Sequence, residues 1–85
     1  MSVDDRSRVR AYIQQLLSEH DDHTVFDDTT SLIKSGRLDS LAVTHIVMFL
    51  ETTFDVDFAI VEFDPERLDS VAEILALIEE SRASS

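Results

Sequence analysis

A chain of 85 residues, 44% of them hydrophobic, makes one small domain with one modest core. Its net charge of −11 excludes nucleic acid as a direct partner, because phosphate binding needs a basic surface. The lack of cysteine excludes disulfide staples and thiolate metal sites, and a single glycine and a single proline favour helices over a turn-rich β architecture.

No apolar run follows the first methionine, as a signal peptide would require, and no apolar stretch reaches the roughly 18 residues of a membrane span. A cytoplasmic protein is the expectation. The acidic balance has two readings: fast, salt-sensitive encounters with basic partners, or solubility alone.

The first helix is expected from Ser2 to about Ser18, with Ser2 and Asp5 at capping-box spacing. Val9, Tyr12, Ile13, Leu16 and Leu17 recur at helical spacing and form its core face. Arg6, Arg8 and Arg10 read as a solvated cluster pairing with Asp4 and Asp5. His20, Asp21, Asp22 and His23 contain metal-ligand residue types, but without further anchored ligands they read as a solvated helix exit. Glu19 to Leu38 is a long connection, of a length that is often functional. Val25, Phe26, Leu32 and Ile33 are placed to anchor it on a core, and Asp27 to Ser31 carries turn chemistry.

The stretch Gly36-Arg37-Leu38-Asp39-Ser40-Leu41 opens the second helix, expected from Ser40 to Thr53. The lone glycine supplies a backbone conformation other residues avoid, and Asp39 reads as the N-cap, with its charge at the positive end of the helix dipole. Val43, Ile46, Val47, Leu50 and Phe54 project on one core stripe. Leu41, His45, Met48 and Thr52 project on the opposite stripe, which carries no charge. A solvated face normally does, so an uncharged Leu/Met stripe beside an exposed Ser40 reads as a surface meant to be touched.

Asp55 to Ile60 alternates polar and apolar residues but has no second strand to pair with, and reads as an extended loop. Asp64-Pro65 is a cap followed by a first-turn proline, giving a short third helix between about Ile60 and Leu68, with Phe58, Phe63 and Leu68 as core contacts. Ser70 to Glu73 is a capping box for a last helix whose apolar face is Val71, Ile74, Leu75 and Ile78. The tail Ser81–Ser85 is expected to fray.

Gly36, Leu38, Asp39, Ser40 and Leu41, at mid-chain in an acidic protein with this apolar pattern on both sides, resemble the acyl carrier protein family. The resemblance covers essentially all of residues 1–85 as a single carrier domain. It implies an all-α fold, a small four-helix bundle with a long loop between helices one and two and a short third helix. It implies 4'-phosphopantetheine, taken from coenzyme A and attached to Ser40 by a separate phosphopantetheinyl transferase, with Asp39 beside it. A thioester cargo on the arm's thiol would come from an acyl- or aminoacyl-loading ligase and pass to downstream transferases. No catalysis by the chain itself is implied, and a monomer is expected.

Leu41, His45, Met48 and Phe49 are the expected partner-binding residues. Many fatty-acid carriers place acids just after the motif, where this chain has Ala42, Thr44 and His45. His45 would add mild pH sensitivity to that patch. Residues 62–70 look closer to carriers that load amino acids, such as D-alanyl carrier proteins, so an aminoacyl carrier is the alternative cargo reading. From a different class, the chain reads as an acidic helical interaction module that carries nothing. A serine hydrolase is disfavoured: His45 lies about 140° around the helix from Ser40, and no Gly-x-Ser-x-Gly elbow is present.

Overall fold

Among the described residues the chain forms three α-helices and one 3-10 turn: α1 Asp5–Glu19, α2 Ser40–Thr53, the turn Pro65–Leu68, and α3 Val71–Ser84. The computed structural model describes residues 4–59 and 64–84, and no strand occurs among them. The sequence predicts four helices. Among the described residues the third of these is a single 3-10 turn, because Asp64 caps it through the Glu66 N–H and Ser70 already caps α3. Only one turn fits between two such caps. Ile60 and Phe63, expected in that segment, lie outside the described residues, as does Ser2.

α1 begins one residue after Asp4, whose carboxylate accepts the Arg6 N–H. Asp4 is therefore the cap, and Asp5 is the first helical residue, paired with Arg82 of α3. α3 packs on α1 and on the 3-10 turn, which in turn contacts α2. The core is a single cluster. Val9, Ile13, Leu16 and Leu17 of α1 meet Ala42, Ile46, Leu50 and Phe54 around α2, and Val71, Ile74, Leu77 and Ile78 of α3.

α2 is rich in β-branched residues, which lowers its intrinsic helicity, so tertiary packing holds it. Tyr12 of α1 stacks on Phe49 with ring centroids 4.1 Å apart, and the Tyr12 hydroxyl donates to the His45 carbonyl at 3.0 Å.

Several expectations about which residues are buried shift. Val43 and Val47 are half-buried, while Ala42, outside the expected core stripe, is buried. The buried stripe of α2 is thus rotated toward Ala42, where a small side chain permits close approach. In α3, Leu77 takes the core place expected of Leu75, which is only half-buried. The helix runs through Ser84 with Ser81 buried, and Ser85, the end of the tail expected to fray, lies outside the described residues.

The long connection is ordered by side chains that bridge distant parts of the chain. Asp27 Oδ1 accepts from the Thr29 N–H and from the hydroxyls of Thr29 and Thr30, which is the turn that its sequence predicts. Arg6 and Arg10 pair with Asp28 of the connection, where the sequence reading pairs them with Asp4 and Asp5. Arg10 also lies over the Phe26 ring at 4.8 Å. Phe26 and Leu32 are buried and Ile33 is half-buried. Val25 is 90% exposed and anchors nothing: Arg37 bonds the carbonyl of neighbouring Thr24 from outside, and Phe26 alone turns inward.

Candidate functional site

The approach to α2 is a short sequence of fixed positions. The Gly36 N–H donates to the Ile33 carbonyl at 3.0 Å and the Leu38 N–H to the Leu32 carbonyl at 2.9 Å, closing a turn at whose corner Gly36 has φ +84°. No atom would meet a Cβ there, so the positive φ, not crowding, is what calls for glycine. Leu38 is then buried. This fixes the orientation of the next two residues, Asp39 and Ser40, which are exposed.

Asp39 caps α2, its Oδ1 accepting the Ala42 N–H at 2.9 Å. Ser40 is the first helical residue, and its carbonyl accepts from the Thr44 hydroxyl. Because Asp39 fills the cap role, the Ser40 hydroxyl is not needed for it. Among the described residues that hydroxyl makes no hydrogen bond.

The wall beside this helix mouth comes from the connection and the end of α1. Arg37 donates to both oxygens of Asp22, at 2.9 and 3.3 Å, and to the Thr24 carbonyl at 2.8 Å. The Arg37 guanidinium and then the Thr24 N–H pull Asp22 down to a pKa of about 2. Further back, Asp69 accepts the N–H groups of Ile33 and Lys34 at 2.8 and 2.9 Å. Burial would raise its pKa, but the Lys34 and Ile33 N–H groups carry it below the ordinary value.

Of the four residues expected to meet partners, Leu41 and Met48 are 61% and 55% exposed. His45 is half-buried. Phe49 is held between Tyr12 and the edge of Phe54, so it supports the face more than it projects from it. Tyr12, His45, Met48, Phe49 and Thr52 line a shallow groove of about 240 Å³. On the other flank, Val43, Thr44, Val47 and Phe58 line an apolar groove of about 250 Å³, which is why Val43 and Val47 are not fully buried.

Sequence reasoning located Gly36, Asp39 and Ser40 but missed the pairs that brace them, Arg37 with Asp22 and Asp69 with the backbone at residues 33 and 34. The second joins residues some 35 positions apart and leaves no local spacing signal.

An all-helical domain of this size, with an exposed and unengaged hydroxyl at a capped helix mouth, has the form of a carrier, not of an enzyme with its own base. The chain belongs to the phosphopantetheine attachment site family, whose model matches residues 7–78. Members of this acyl and peptidyl carrier family are non-catalytic and bear a covalent 4'-phosphopantetheine group. They interact with a phosphopantetheinyl transferase and with biosynthetic enzymes. Neither the curated proteins nor the solved structures gave a significant match. No helix among the described residues is long and apolar enough to cross a membrane.

Proposed function

We propose that Ser40 is the attachment residue, and that the chain acts as a single monomeric carrier domain presenting an acyl thioester to successive enzymes of a biosynthetic pathway. One observation carries the assignment: Ser40 is the exposed first residue of α2, with its hydroxyl unengaged and its neighbour already serving as cap. A phosphate-linked arm needs an accessible hydroxyl, and a helix N-terminus favours the negative charge that arrives with it. In the transfer, Ser40 Oγ forms a bond to the pantetheine phosphorus of coenzyme A, adenosine bisphosphate leaves, and the hydroxyl proton passes to the transferase. When bound, the arm supplies the thiol that this cysteine-free chain lacks.

This chain's own residues do the rest. Asp39 holds the helix mouth, and the Leu38 side chain keeps Ser40 turned outward. Leu41 and Met48, with His45 and Phe49 around them, form the face a partner meets. The groove at Val43, Val47 and Phe58 offers an apolar wall to an acyl chain. The net charge of −11 opposes self-association.

The test is incubation with coenzyme A, magnesium and a broad-specificity phosphopantetheinyl transferase. Intact mass rises by one phosphopantetheine, and Ser40→Ala abolishes the rise. A wild-type chain that gains no mass under conditions that load a control carrier would overturn the assignment. Trials with acyl and aminoacyl ligases then identify the cargo class.

A further inference from the structure

His20 closes α1 as its C-cap residue, far in sequence from the helix mouth at Ser40. In the fold its Nε2 stands 4.0 Å from Asp39 Oδ1, the same oxygen that accepts the Ala42 N–H. His20, Asp22, Ser35, Gly36, Arg37 and Asp39 line one open hollow of about 350 Å³ at this point. Of the charged groups there, Asp22 and Arg37 are bonded to each other. Asp39 is a carboxylate immediately before Ser40. His20 is the one lining group able to gain a positive charge, and it is not engaged in a short ion pair.

Modification of Ser40 would add a phosphodiester charge next to the Asp39 carboxylate. Two anions then share one helix end, and a nearby imidazole is drawn toward its charged form. Resting on the assignment of Ser40, we propose that His20 is a positioning residue for the phosphate of the attached arm: it takes up a proton when the arm is present and steadies the phosphodiester against the α1–α2 corner. The imidazole accepts that proton from solvent, and no bond is made or broken.

The charge added with the arm draws the His20 imidazole toward its protonated form, an effect that shrinks as salt is added. The measurement is an NMR titration of the three histidine side chains in the unmodified protein and in the protein loaded by the transferase, with loading verified by intact mass. His20 moves upward on loading at low salt, while His23, paired with Asp21, stays in place. The phosphorus resonance of the arm titrates with the same midpoint as His20, and that component vanishes in His20→Gln. A loaded protein whose His20 midpoint is unmoved, or whose phosphorus titration survives His20→Gln, overturns the proposal and leaves Ser40 standing. A chain that gains no mass, or gains it in Ser40→Ala, overturns the assignment of Ser40 and this proposal with it.

Discussion

The connection between α1 and α2 and the outer face of α2 meet at Ser40, yet they are made of opposite materials. The connection is held by carboxylates: Asp22 on Arg37, Asp28 on Arg6 and Arg10, and Asp69 on two backbone N–H groups. The outer face of α2 has no ionic side chain from Leu41 to Leu50 except a titratable histidine. A strongly acidic composition therefore does not make the outer face of α2 acidic. Several of the acids are internal fasteners of the segment that delivers the serine, and the face beside that serine is left apolar.

The largest effect that separates the two regions is burial. Leu32, fully buried in the connection, loses about 2–5 kcal/mol of folding stability on truncation to alanine, whereas Met48→Ala changes it by less than about 0.5 kcal/mol; urea unfolding measures both. Equal costs at the two positions would erase the distinction. Asp69→Ala leaves the Ile33 and Lys34 N–H groups without their acceptor and costs about 1–3 kcal/mol. Hydrogen exchange at those two amides should speed up before exchange in the centre of α1 does.

Acid sharpens the comparison further. Arg37 holds the folded-state pKa of Asp22 near 2 against an ordinary 3.8. Arg6 lowers Asp28, opposed by partial desolvation and aided by Arg10. Asp69 also lies below its ordinary value despite burial. Groups depressed on folding stabilise fully above their unfolded values, and that contribution drains away as pH falls through the folded ones. Stability thus declines from about pH 5 toward pH 2, and Asp22→Asn flattens the decline between 3.8 and about 2. An unchanged slope in that variant would show that the Arg37 pair does not hold the connection.

The smallest effect on folding falls on the outer face of α2, the face proposed to meet partners. Leu41→Ala and Met48→Ala leave stability within about 0.5 kcal/mol of the parent but slow loading by the transferase severalfold. The loading rate of the parent changes little between low and moderate salt, as an apolar contact requires. A steep salt dependence would place recognition on the acids instead.

The helix mouth was legible in the sequence because its signals are local. A lone glycine, an Asp N-cap and the serine after it each follow from rules that span a few residues. The amphipathic face of α1 was legible for the same reason, while in α3 Val71, Ile74 and Ile78 were legible but Leu77 was not. The rotation of the α2 stripe toward Ala42 was not, since an alanine is small enough to suit either face and only the neighbouring helices decide. The exposure of Val25 was hidden because an apolar residue next to Phe26 reads as an anchor, until Arg37 claims the backbone before it. Arg6 and Arg10 paired with Asp28 because the connection folds back over α1, which no spacing within α1 announces.

The grip of Asp69 on residues 33 and 34 has a practical consequence. The turn that aims Ser40 outward is clasped from the threshold of α3, by the Asp69 carboxylate and by its carbonyl, which accepts the Leu32 N–H at 2.7 Å. A synthetic peptide spanning only the serine and α2 would lack that clasp and present its hydroxyl from a wandering strand of chain. A fragment meant to hold Ser40 as it stands in the fold should therefore keep the segment through the opening of α3.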